Sequence, residues 1–177
     1  MHPPSHPAND AGRASSVETN QNSVRFTEVS GVEGAASTPA PALDRAFARK
    51  HPCRLLVAED NPINQKVVRS LLGRLGYDPV VVEDGLDAIA ALKAGPFDVV
   101  LMDVEMGELG GPEATRRIRS EFPASEQPVI IALTAHAGSE KRAELLAAGM
   151  DEYLTKPLHF ERLVGLLARW RDLRPQG

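Results

Sequence analysis

Val99-Val100-Leu101-Met102-Asp103 is an apolar run that stops abruptly on a carboxylate. A second run, Leu55-Leu56-Val57-Ala58, stops on the adjacent pair Glu59-Asp60. Runs this apolar read as strands buried on both faces, as in a parallel sheet covered by helices. If the two are strands of one such sheet, three carboxylates meet at its C-terminal edge, where open α/β sheets place their ligands. Two carboxylates ~4 Å apart repel by roughly 4 kcal/mol at an effective dielectric of 20. The arrangement therefore calls for a divalent cation and leaves one carboxylate free to act as a nucleophile.

From Arg54 onward, strand-like and helix-like segments alternate. Arg54–Glu59 reads as a strand, and Asn61-Pro62 opens a helix with Asn as N-cap and Pro at its first position. Val67, Val68, Leu71, Leu72 and Leu75 mark that helix's apolar stripe, and Gly76 ends it. Pro79–Glu83 is the second strand. Asp84-Gly85 starts a helix through Lys93, closed by Gly95-Pro96. Asp98–Met102 is the third strand, and Gly111-Pro112 opens a helix to about Glu121. Pro128–Leu133, the helix Ser139–Ala148, the short strand Glu152–Thr155 and an amphipathic helix Phe160–Arg171 complete the pattern. Five βα units with right-handed crossovers predict a doubly wound α/β sheet. An eight-fold barrel needs about twice the length.

Residues 1–51, rich in Pro, Ser, Ala, Asn and Gly, read as a disordered or linker segment, with a short amphipathic turn allowed around Leu43–Ala48. The folded domain is expected over 52–174. The linker carries five basic and five acidic groups, so the net charge of −4 lies wholly in the domain. Such a domain lacks the basic face of a nucleic-acid binder. Arg116-Arg117-Ile118-Arg119 reads as a solvated helix face. The single Cys53 permits no internal disulfide, precedes a strand and is assigned no reactivity. No signal peptide or membrane-spanning run is present, which predicts a cytoplasmic protein.

Each strand end contributes a distinct group: Glu59 and Asp60, then Asp103, Thr134, and Lys156 followed by Pro157. Oxygen-rich acids suit Mg²⁺. A hydroxyl and an ammonium beside an aspartate suit the remaining oxygens of a transferred phosphoryl group, and an aspartate can accept that group as an acyl phosphate.

The segments Leu55–Asn61, Val100–Asp103, Ala132–Ala135 and Tyr153–Pro157 together resemble the receiver domain of two-component response regulators, from Arg54 to about Arg171. Asn61-Pro62-Ile63-Asn64-Gln65-Lys66-Val67 is most similar to receivers of hybrid sensor histidine kinases. The resemblance implies a flavodoxin-like sheet of order 2-1-3-4-5 with five helices. It implies Asp103 as phosphoacceptor, Mg²⁺ held by Glu59, Asp60, Asp103 and the Glu105 backbone carbonyl, and phosphoryl oxygens bound by Thr134 and Lys156. Tyr153 would be the aromatic switch, and Lys156–Pro157 a cis peptide. The donor would be a phosphohistidine on a histidine kinase or a histidine phosphotransfer domain. The face of the fourth helix, fifth strand and fifth helix would be the output surface.

The chain departs from the family at Gly107, where Pro is usual, and at Gly110, where Asp is usual. Both loosen the loop Val104–Gly111 without touching the pocket acids. Glu105 and His136, each two residues past a site residue, would line the path of water to an acyl phosphate. Ile63, Asn64 and Val67 would contact a donor, with core packing the competing reading for Ile63 and Val67. Because the chain ends soon after its last helix, output is expected through another protein or another part of a larger parent chain. Two alternatives remain at this point. An aspartyl-nucleophile phosphatase would want Asp-x-Asp where Asp103-Val104-Glu105 stands. A non-phosphorylated interaction module would not need Thr134 and Lys156.

Overall fold

Buried apolar strands must pair every backbone N–H and C=O, and here they do so in a five-stranded parallel sheet of order β2-β1-β3-β4-β5. The architecture is that of a computed structural model, which describes residues 45–136 and 138–174. The strands are β1 (Leu55–Ala58), β2 (Val80–Val82), β3 (Val99–Asp103), β4 (Val129–Thr134) and β5 (Glu152–Thr155). Among the described residues six α-helices accompany them: α1 (Phe47–Lys50), α2 (Pro62–Arg74), α3 (Gly85–Ala94), α4 (Gly111–Glu121), α5 (Ser139–Ala147) and α6 (Phe160–Ala168). The sheet order is the expected one, and α1 adds one helix to the five anticipated.

Strand side chains alternate between the two faces, and each face has its own core. Leu55, Val57, Val99, Leu101, Val129 and Ile131 pack against Val68 and Leu72 of α2 and Leu163, Leu166 and Leu167 of α6. Leu56, Ala58, Val100, Met102, Ile130 and Ala132 face Ala88 and Ile89 of α3, Ala114 and Ile118 of α4 and Leu145 of α5. Register places Leu56 beside Val100 and Ala58 beside Met102, so β1 and β3 end together.

Three sequence expectations change in detail. Arg116–Arg119 is not a wholly solvated face, because Ile118 is buried and Arg119 turns inward to pair with Asp151 (2.7 Å). Val67 lies on the stripe by spacing yet is 47% exposed, and Ile63 is 70% exposed, so neither packs into the core. The last helix stops at Ala168 rather than Arg171. Arg169 leaves helical geometry (φ −117°, ψ 18°), and a 3₁₀ turn, Trp170–Leu173, drives Trp170 into the core.

Residues 45–53 pack onto the domain. Ala48 N–H donates to the Leu75 carbonyl (3.0 Å), satisfying an orphan acceptor at the C-terminus of α2. The Phe47 ring meets Tyr77 edge-on at 6.2 Å, and the Tyr77 hydroxyl donates to the His51 carbonyl. Gly76 makes this approach possible: its φ is +90°, and a Cβ there would overlap the Arg45 carbonyl. The amphipathic turn expected around Leu43–Ala48 falls partly outside the described residues, and its described part leads into α1.

Cys53, half-buried at the end of this segment, has its thiol pushed up to about 11 by burial. The folded state holds the proton, so stability falls as pH rises past the ordinary thiol range. At about pH 8.5, iodoacetamide should alkylate Cys53 roughly a hundredfold more slowly than the unfolded chain. Gly76→Ala should cost about 2 kcal/mol in denaturant unfolding and speed that alkylation. Native-like stability together with native-like alkylation in Gly76→Ala would contradict the packing described.

Candidate functional site

Because β1 and β3 are neighbours, the carboxylates of Glu59, Asp60 and Asp103 converge with oxygens within 4.8 Å of one another. Glu59 is fully buried and Asp103 is 5% exposed, while Asp60 is exposed. Charges so buried need partners. Lys156, from the end of β5, reaches across β4 and supplies one: its Nζ lies 2.7 Å from Glu59 Oε2 and 2.6 Å from Asp103 Oδ2. Its own N–H donates to the Thr134 carbonyl (2.7 Å), which fixes where the side chain starts. The Lys156–Pro157 peptide is cis, as the resemblance implied.

The start of α2 completes the surroundings of Glu59. Asn61 caps the helix, its side chain accepting from Ile63 N–H and Asn64 N–H. Asn64 Nδ2 donates to Glu59 Oε1 (2.8 Å), and Gln65 Nε2 donates to the Glu59 carbonyl (2.8 Å). Sequence reading assigned Asn64 only to a partner contact and gave Gln65 no role. The signal available was a pair of amides one turn into a helix that starts directly after the acids.

Electrostatics follow from this crowding. Burial raises the Asp103 carboxyl above the ordinary range; the Lys156 hydrogen bond opposes that and the Glu59 charge adds to it. Burial alone would lower Lys156, but its bonds to Asp103 and Glu59 outweigh it and raise the ammonium. That contribution to stability is present below the ordinary lysine value and is lost as pH rises beyond it.

The remaining expected residues surround the same sheet edge. Thr134 is buried at the end of β4, its hydroxyl accepting from His136 N–H (3.1 Å). Glu105 N–H donates to Asp103 Oδ1 (3.3 Å). Glu105 and His136 are both exposed and line one groove of about 500 Å³. Tyr153 is half-buried on β5, with the Arg162 guanidinium 5.6 Å from its ring centroid. In the loop after β3, Gly107 is exposed and Gly110 is the N-cap of α4. Gly111, which follows, is required by space: a Cβ would overlap the Asp103 carbonyl.

An all-oxygen donor set of three carboxylates suits Mg²⁺, a hard cation that keeps several waters. The cleft of about 160 Å³ that they line, with Glu105 and Lys156 beside them, leaves room for such an ion and its waters.

A doubly wound sheet ending in three acids, a threonine and a lysine defines a phosphoacceptor module. Residues 55–168 match the response regulator receiver domain, and the chain belongs to that family. It is 42% identical over 123 residues to the sensor protein GacS of Pseudomonas syringae pv. syringae, a match covering 68% of this chain and 14% of GacS. The receiver domain of the sensor histidine kinase PA1611 from Pseudomonas aeruginosa PAO1, solved with a magnesium ion in its active-site cleft, superposes with a TM-score of 0.61. It shares 40% identity over 68% of this chain and 98% of that one. The Saccharomyces cerevisiae receiver Ssk1, solved with the histidine phosphotransfer protein Ypd1, gives a TM-score of 0.62. Identity there is 27%, over 70% of this chain and 91% of that one.

Removing the ammonium leaves two carboxylates facing each other in a buried cleft. Lys156→Met should lose about 2 kcal/mol of stability near neutral pH without metal. The deficit should narrow as pH falls, because protonating the carboxylates removes the repulsion. Chemical denaturation across pH checks this; a deficit independent of pH would contradict it.

Proposed function

We propose that Asp103 accepts a phosphoryl group from a phosphohistidine, with Glu59, Asp60, Asp103 and the Glu105 carbonyl holding Mg²⁺. The observation that carries this reading is Lys156 Nζ 2.6 Å from Asp103 Oδ2, at a sheet edge that also gathers two further acids and Thr134. When bound, the cation supplies charge neutralisation for the phosphoryl oxygens. An Asp103 oxygen forms the new O–P bond as the P–N bond of the donor breaks, its electron pair returning to the imidazole. Lys156 and the Thr134 hydroxyl hold phosphoryl oxygens, so catalysis is positioning and electrostatics. Turnover is confined to phosphotransfer and self-dephosphorylation. Tyr153 is the switch residue that couples the site to a protein output surface.

The donor is a histidine kinase or a histidine phosphotransfer domain, and it seats on α2. Ile63 and Val67 are exposed beside a small apolar recess formed with Val68, Pro157 and Leu158. That recess shares Glu59, Asn64 and Lys156 with the acidic cleft, so a protein seated there lies next to Asp103. The phosphoacceptor unit is taken as 52–174, with 1–51 as the linker before it, the last turn of which (Phe47–Lys50) docks on the domain through Ala48 and Phe47. A cytoplasmic location is the reading that a single unpaired cysteine, Cys53, supports.

Incubation with Mg²⁺ and acetyl phosphate should add one phosphoryl group by intact mass, and Asp103→Asn should abolish it. Continuous hydrolysis of unrelated phosphomonoesters, or no adduct with the native chain, would overturn the reading. Ile63→Asp and Val67→Asp should slow transfer from a phosphorylated phosphotransfer protein at least tenfold while leaving acetyl phosphate labelling unchanged. Glu105→Ala and Glu105→Asn should alter the dephosphorylation rate, since Glu105 borders both the acidic cleft and the groove with His136.

A further inference from the structure

Glu59 is the one fully buried carboxylate of the cleft, and its two oxygens have separate partners. Oε2 faces Lys156 Nζ (2.7 Å) and, through it, Asp103. Oε1 faces α2, where Asn64 Nδ2 donates at 2.8 Å and Asn61 N–H at the longer 3.4 Å. A buried carboxylate is free to rotate about its last bond unless both ends are held. The Asn64 amide holds the far end. The main chain is held as well, by Gln65 Nε2 on the Glu59 carbonyl (2.8 Å).

We propose that Asn64 is a positioning residue: it locks the Glu59 carboxylate so that Oε2 alone points into the cleft, toward the lysine and the cation. Asn64 is half-buried and lines both the acidic cleft and the apolar recess of α2. It acts through Glu59. Helix α2 thus both presents Ile63 and Val67 outward and sets the orientation of a cleft carboxylate inward. Neighbours that orient ligand carboxylates in this way commonly change metal affinity 10–100-fold when removed. The inference rests on the Mg²⁺ reading above, but its test needs no phosphodonor.

Mg²⁺ affinity of the full chain, measured by titration calorimetry, should weaken about tenfold in Asn64→Ala and in the near-isosteric Asn64→Leu, with thermal unfolding recorded for each. In a Glu59→Gln background the same Asn64 changes should alter affinity less than twofold, because their route to the cation has gone. An equal loss in both backgrounds, or a native-like affinity in both single variants, would overturn the proposal. A second readout is independent of metal. Without Mg²⁺, one Asn64 side-chain amide proton should resonate downfield and exchange slowly, and Glu59→Gln should return it to ordinary values. A fast-exchanging, unshifted amide in the native chain would also overturn it. Absence of an aspartyl phosphate, with these couplings intact, would instead count against the phosphoacceptor reading alone.

Discussion

One half-buried ammonium reconciles what the sheet brings together. Parallel pairing of β1 with β3 forces Glu59, Asp60 and Asp103 to a common edge. Lys156, from a strand two places away, lies between two of them. Without a cation there, carboxylates 4 Å apart would repel by about 4 kcal/mol at an effective dielectric of 20, a large share of a domain's net stability. The same tension makes the cleft receptive to a divalent ion and to the electron-poor phosphorus of a phosphoryl donor. Stability and chemistry therefore draw on a single arrangement.

That arrangement was legible in the sequence to the extent that it rests on burial. Strands covered on both faces have few polar positions to blur their limits, and β3 (Val99–Asp103) lies within one residue of the expected Asp98–Met102. Asp103, Glu59 and Lys156 declare themselves as charges at the ends of apolar runs. Asn64 does not: an amide on an exposed helical turn looks the same whether it faces water or a buried carboxylate. The orientation of Val67 was equally hidden, because the stripe's spacing admits it to the core while the neighbouring helices leave it outside. At the end of α6 the apolar period continues through Leu166, Leu167 and Trp170, although the backbone has already tightened into a 3₁₀ turn.

Helix α2 links the parts of the molecule. Its first turn holds Glu59, its outer face exposes Ile63 and Val67, and the carbonyl of its C-cap residue Leu75 accepts from Ala48 of the segment before the family match. Linker composition concealed that last contact, since it depends on one phenylalanine and on the absence of a side chain at Gly76.

The proposed mechanism stands on Asp103 as the residue that would carry the phosphoryl group. Borohydride reduction after labelling with acetyl phosphate and Mg²⁺ converts an aspartyl phosphate to homoserine, and peptide mass spectrometry locates the change. Homoserine at position 103 and at no other aspartate is the predicted result. Homoserine at Asp60 instead, or a phosphoryl group that survives reduction on another side chain, would contradict the account.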